Sequence, residues 1–387
     1  MSSLISSNSI GFLSTYPPTS CGLATFTRAL RHAIANERGS DDNLGVVSVS
    51  DTSIDTLPSE VAYSHVNGEA GSLREAIQTL NRFDLAMIQH EYGIFGGPDG
   101  VEVLDILRGL DVPSVVTLHT VLSNPSPSQR SILEAVVAMS DATVVMSETA
   151  NRRLREVYDV DRSKVSTIPH GARLSLRGPS LSDGHRPVFL TWGLIGPGKG
   201  LESAIEAFTN VRDLRPLPRY VILGKTHPKV RATSGEVYRD GLIQRVEDLG
   251  LGDIVEFDDR YLDIDALTLA VRSADFVILP YESTEQVTSG VLVEALGAGK
   301  PVIATAFPHA RELLADGAGI VVPHSDPGEM GTAIRTIVES PALAARMSGR
   351  AQTVGSTMYW PVVARRYESL VDRVVADRAR GPLARVG

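Results

Sequence analysis

The sequence predicts an α/β protein made of two parallel-sheet units of similar size. Short runs rich in Val, Ile and Leu alternate with amphipathic stretches from end to end. That rhythm breaks once near the middle and then restarts. The chain has 387 residues, enough for two domains of roughly 100–200 residues each.

In the first half the strand candidates are Ile10–Leu13, Gly45–Val49, Leu85–Gln89, Ser114–His119, Ala142–Val145 and Val165–Ile168. Each is short and bounded by turn residues, as strands buried on both faces read. Helical patterns such as Ala24–Ala35 and Arg130–Met139, with apolar residues recurring at three and four, lie between them. Strand alternating with helix is the signature of a parallel sheet covered on both faces. Arg173–Pro187, with its Gly, Pro and Ser, reads as a linker. The pattern resumes with Val188–Thr191, Tyr220–Leu223, Ile254–Phe257, Phe276–Leu279, Val302–Thr305 and Gly319–Val322. After Pro341 only helix is expected. Its last segment carries Trp360, Val363, Tyr367, Leu370, Val371 and Val374 on one stripe that must be buried. Arg365, Arg366, Arg373 and Arg378, interleaved with Glu368, Asp372 and Asp377, read as a solvated face with helical charge pairs.

Composition narrows the function. A net charge of −9 argues against broad nucleic-acid binding, where neutralisation of phosphates by Lys and Arg dominates affinity. The single cysteine, Cys21, excludes an internal disulfide and a cysteine zinc cluster, and fits a cytoplasmic setting. Cys21 reads as packing under its loop rather than as a reactive thiol. No apolar run approaches the ~20 residues of a membrane span, which leaves peripheral membrane contact open. No metal-ligand spacing appears.

Gly193-Leu194-Ile195-Gly196-Pro197-Gly198-Lys199-Gly200 follows a strand and opens a helix at Leu201–Phe208. As a Walker A loop it fails, because Gly200 stands where Ser or Thr must hold magnesium. The dinucleotide fingerprint fails on glycine spacing. What remains is physics common to both: glycines let the backbone approach an anion, a helix start supplies free N–H groups, and Lys199 adds a charge. A plain strand-to-helix turn with an exposed lysine is the alternative. Further on, Pro280 to Ala304 runs from a strand end at Leu279 through a polar loop holding Gln286, Thr288 and Ser289. A small-residue helix begins near Gly290 and carries Glu294, and the chain then turns through Gly299-Lys300-Pro301 into the next strand.

From Glu294 onward the sequence resembles the retaining glycosyltransferases typified by bacterial mannosyltransferases and sugar-polymer glycosyltransferases. Other pieces resemble the same family in the same order. Gly193…Lys199-Gly200 is similar to its phosphate loop, Ser166–Gly171 to its Ile-Pro-Asn-Gly hinge, and Val116–His119 to its strand ending in a histidine. Pro17–Gly22 stands where it has a glycine-rich loop, and Met358–Tyr367 where it has a closing Trp…Tyr helix. The resemblance implies a GT-B fold of two Rossmann-like domains facing across a cleft. These are an acceptor domain over 1–178, a nucleotide-sugar donor domain over 179–356, and a helix over 357–387 crossing back to the first.

It implies metal-independent hexosyl transfer from a nucleoside-diphosphate sugar, with retention, onto a carbohydrate, lipid-linked or small-molecule acceptor. No cofactor is implied beyond that co-substrate. Glu294 would accept from both ribose hydroxyls, although a glutamate near a helix start also favours the dipole. Lys199, with Gly193, Gly200, Lys225, Gln286 and the Thr288, Ser289 and Gly290 amides, would hold the rest of the donor. Lys199 would also meet charge on the departing diphosphate, and His119 would bond the sugar or the incoming hydroxyl. Gly22, His90 and Glu91 are the acceptor-side candidates. Two positions depart from the family: Gln286 replaces an acid, and Leu194 replaces an arginine beside the phosphate loop. These departures keep a non-catalytic nucleotide-sugar-binding module as a second reading. A sugar-nucleotide epimerase on the same double fold is a third, and the loop and Glu294 match it less well.

Overall fold

A computed structural model describes residues 8–173 and 185–380, so most of the expected linker, residues 174–184, lies outside the described residues. The chain forms two compact units, one from Met1–Gly171 with Trp360–Gly387 and one from Ala172–Tyr359.

The first unit runs β1 (Ile10–Ser14), α1 (Gly22–Arg38), β2 (Leu44–Ser50), β3 (Val61–Val66), α2 (Ala70–Leu80), β4 (Leu85–His90), α3 (Val103–Gly109), β5 (Ser114–Leu118), α4 (Pro127–Met139), β6 (Ala142–Val145), α5 (Glu148–Val157) and β7 (Val165–Thr167). Its seven strands are all parallel in the order β3-β2-β1-β4-β5-β6-β7. Every residue of β1, β4 and β5 is buried, because helices cover both faces. Strand β3 is the element that the apolar runs did not reveal.

Helix α1 starts at Cys21, whose Sγ accepts the Ala24 N–H at 3.4 Å and lies 3.1 Å from Thr15 Oγ1. The cysteine therefore caps a helix. Gly39, at φ 71°, closes the other end. The last helix, numbered α14 in chain order (Trp360–Arg380), buries its whole stripe against α1 and the sheet. Its charges depart from the expected helical pairing, since most reach other elements. Arg38 grips Glu368 through Nε (3.0 Å) and Nη2 (2.8 Å), Arg365 pairs with Glu37 at 2.8 Å, and Arg378 lies 3.6 Å from Asp141. The Arg380–Asp377 pair stays within the helix.

Gly171 ends this unit's first segment against Trp360, the start of its second. A Cβ at Gly171 would fall 2.2 Å from the indole ring. That ring is held by Phe26 (5.6 Å between centroids) and His170 (5.9 Å). Gly171→Ala is expected to destabilise this unit by about 1–3 kcal/mol through overpacking. A thermal melt matching wild type would show that Trp360 moves aside freely.

The second unit runs β8 (Val188–Trp192), α6 (Leu201–Ala207), β9 (Arg219–Leu223), α7 (Pro228–Ser234), α8 (Val237–Asp248), β10 (Val255–Asp258), α9 (Ile264–Ser273), β11 (Phe276–Leu279), α10 (Gly290–Gly297), β12 (Val302–Thr305), α11 (Pro308–Leu313), β13 (Gly319–Val322), α12 (Pro327–Glu339) and α13 (Pro341–Thr357). Its six parallel strands are ordered β10-β9-β8-β11-β12-β13. Phe189, Phe208, Tyr220 and Phe276 form an aromatic centre, with Phe208 stacked on Tyr220 at 4.9 Å and Phe189 4.8 Å from Phe276. Lys300 is buried and donates to the carbonyls of Arg272 (2.9 Å) and Ala274 (2.6 Å), closing the end of α9.

In each sheet the strand order reverses once, between β1 and β4 and between β8 and β11. Chain connections leave such a point in opposite directions, which opens a crevice at the carboxyl ends of the strands. Between β8 and β11 the ladder pairs Phe189 with Phe276 and Leu190 with Val277, after which the Thr191 hydroxyl donates to Ile278 O at 2.6 Å. Among the described residues, no helix is long and apolar enough to cross a membrane.

Candidate functional site

In the second unit the expected donor residues gather at the β8/β11 crevice. The glycine loop after β8 is pinned on both sides. Gly193 donates to Leu223 O (3.0 Å) and Ile195 to Lys225 O (2.8 Å), while Glu282 donates to Gly198 O (3.0 Å). Gly200 has φ 65°, and a Cβ there would lie 1.9 Å from Pro280 O, so only glycine lets the loop pass the β11 exit this closely. Gly193, at φ 126°, has open space where its side chain would be. The Lys199 ammonium lies over the buried Tyr281 ring, 4.6 Å from its centroid. Burial pulls the Lys199 pKa down. Thr191, Gly193, Leu194, Lys199 and Tyr281 share one pocket. Lys225 is exposed on the segment bridged to the loop.

Helix α10 starts at the same crevice. Ser289 is its N-cap and accepts the Leu292 N–H at 3.2 Å. The Ser289 N–H itself donates to His309 Nδ1 at 2.9 Å, which corrects the expectation that this amide serves the diphosphate. Leu292 is capped and Val293 donates to Ser289 O, so the N–H groups of Gly290 and Val291 are the open donors of the first turn. Thr288 Oγ1 is buried without a partner. Gln286 braces its own loop: its Nε2 donates to Thr288 O (3.3 Å) and its backbone carbonyl accepts from His309 N–H (3.2 Å). Glu294 is the fifth residue of α10, in the second turn, where the helix dipole gives it little. Its Oε2 accepts the Arg173 N–H at 3.3 Å. Burial pushes its pKa up to about 7, opposed by that bond and by the Arg173 charge.

In the first unit the expected residues stand at the ends of β1, β4 and β5. Gly22 is the first residue of α1, and a Cβ there would meet nothing within 4 Å. His119 Nε2 lies 2.8 Å from Gln89 Oε1, and its ring packs edge-on against Phe26 at 4.9 Å. Burial, with the nearby His170 and His90, drops its pKa to about 3. The ring is therefore neutral, Nε2 carries the proton and Nδ1 is the acceptor.

His90 is fully buried, both its nitrogens lack a partner, and burial lowers its pKa to about 4. Glu91 accepts from the Thr120 hydroxyl (2.5 Å) and the Tyr92 N–H (3.0 Å), and burial raises its pKa. The loop beyond is tied by Glu102, which accepts from Gly68 N–H (3.0 Å) and Gly96 N–H (3.1 Å). His119 and Lys199 thus belong to different units.

Three further residues stand at this site, Tyr281, His227 and His309. Tyr281 and His309 gave no local signal, because each acts through a distant loop. Thr226-His227-Pro228, separated from the end of β9 by two residues, is the one legible clue.

Two family models match the chain, "Glycosyltransferase Family 4" over residues 26–176 and "Glycosyl transferases group 1" over 173–354. The chain belongs to the group 1 glycosyltransferases of GT-B fold. Among its relatives, the D-inositol 3-phosphate glycosyltransferase of Kineococcus radiotolerans is 28% identical over 70% of this chain and 68% of that protein. The protein of the same name from Corynebacterium efficiens is 23% identical over 93% and 88%. Among solved structures, Anabaena Alr3699/HepE in complex with UDP superposes with a TM-score of 0.73, at 20% identity, over 94% of this chain and 100% of that one. Sucrose-phosphate synthase from Thermosynechococcus elongatus superposes with a TM-score of 0.75, at 18% identity, over 95% and 100%.

Proposed function

We propose that the protein moves a hexose from a nucleoside-diphosphate sugar to a hydroxyl of its acceptor, with retention of anomeric configuration and without a metal ion. The observation that carries this reading is the convergence of Lys199, the open amides of α10 and Glu294 on one strand-order reversal. These are an ammonium and N–H donors suited to a diphosphate, and a carboxylate suited to ribose hydroxyls. As the glycosidic bond lengthens, charge grows on the leaving phosphate, and Lys199 stabilises it there. A leaving phosphate oxygen takes the acceptor proton, so no side-chain base is needed. His119, neutral and offering Nδ1 as an acceptor, orients a hydroxyl of the sugar or the acceptor. Gly22, His90 and Glu91 form the acceptor side. Gln286 acts on the donor through its loop, and the exposed Lys225 adds positive potential beside it.

The HepE structures contain UDP and UDP-glucose, and the curated relatives are named for a phosphorylated polyol. UDP-glucose is accordingly the first donor to try. The test is donor hydrolysis and transfer across UDP-, GDP- and ADP-sugars in EDTA. Turnover unaffected by chelation is expected. Loss restored by magnesium would overturn the metal-free mechanism, and binding of a donor without hydrolysis or transfer to any acceptor would favour a non-catalytic module.

A further inference from the structure

Leu194 leaves the phosphate loop one cation short of the pattern it resembles, and the structure puts another polar group beside that loop. The segment leaving β9 runs alongside it, with Ile195 and Thr226 bridged in parallel and the His227 N–H donating to Ile195 O at 2.7 Å. A Cβ at Gly196 would lie 3.7 Å from His227 Cβ, so the histidine rests directly on the loop. Its Nδ1 accepts the Lys229 N–H at 3.2 Å. Burial and the charges of Lys229 and Lys199 favour the neutral ring. A neutral imidazole with Nδ1 accepting carries its proton on Nε2, the end of the ring left for a ligand.

We propose that His227 is a second donor to the sugar donor's diphosphate, its Nε2–H acting with Lys199 in place of an arginine at position 194. This role rests on reading the second unit as the donor site. It goes beyond the ordinary use of such a residue, which is to cap α7 through Nδ1.

The two uses separate by substitution. Asparagine keeps a short acceptor for the Lys229 amide but does not reach as far as Nε2, whereas glutamine places an N–H donor near it. UDP, GDP and ADP are titrated calorimetrically into the intact protein and into His227→Asn, His227→Ala and His227→Gln. Wild type is expected to bind at least one of them. For that nucleotide, Asn and Ala should weaken binding by about 10- to 100-fold, as loss of a hydrogen bond to a charged group does. Glutamine should restore most of it, and the Asn variant should melt with wild type. An Asn variant that binds like wild type would overturn the role and leave His227 a helix cap. A folded wild type that binds none of the three would overturn the donor reading itself, and this role with it.

Discussion

Lys199→Ala is expected to lower kcat by about 10²–10³ while KM for the donor rises far less, as when a charge that meets a developing oxyanion is removed. The side chain is only half-buried, and its recorded partner is the face of Tyr281. Cutting it back therefore leaves no buried group unpaired, and folding is kept. The effect falls on the rate because charge on the leaving phosphate is greater in the transition state than in bound donor. Steady-state kinetics at saturating donor, with circular dichroism as the folding control, measures it. An unchanged kcat would make the loop a structural turn and shift the charge to Lys225.

Glu294 gives an effect of similar size with a distinctive pH signature. With its pKa raised to about 7, the carboxyl of the empty protein takes up a proton as pH falls through neutrality. Only the ionised form accepts from both ribose hydroxyls. Affinity for a nucleoside-diphosphate sugar, whose phosphates stay ionised here, should be level above about pH 8 and fall about tenfold per unit below pH 7. Glu294→Gln should bind about 10- to 100-fold more weakly at pH 8 and lose that slope. Protonation of His227 acts in the opposite direction, so the glutamine variant isolates the carboxyl. A Glu294→Gln variant whose affinity keeps the wild-type pH dependence would remove Glu294 from the ribose.

Buried parallel strands write themselves plainly into a sequence, which is why twelve of the thirteen were readable. Val61–Val66 was not. It is an edge strand whose Tyr63, Ser64 and His65 break the apolar run, and its polar groups serve neighbours, His65 lying 3.1 Å from Ser72 Oγ and 3.2 Å from Glu102. The buried stripe of helix α14 is legible in its spacing, but the partners of its charges are not. Sequence spacing shows what lies four residues away and hides Glu37, Arg38 and Asp141, which other elements bring to it.

The site divides in the same way. Lys199, Glu294 and the start of α10 sit on short motifs and could be found. The use of the Ser289 N–H by His309, and the contact of His227 with the glycine loop, depend on loops brought together only by the sheet.

The interrupted first unit has a consequence for synthesis. Its strands and α1 leave the ribosome before any of Ala172–Tyr359, whereas α14 follows all of it. The second unit is contiguous and can close as it emerges. The first must wait with the surface of Phe26, Leu30, Val144 and Ile168 that Trp360, Val363 and Tyr367 will cover still uncovered. A product stopped short of Trp360 keeps that apolar stripe open to water, where chaperones and proteases act on it. Docking of α14 therefore completes the earliest-made half of the molecule only after the later half has been translated.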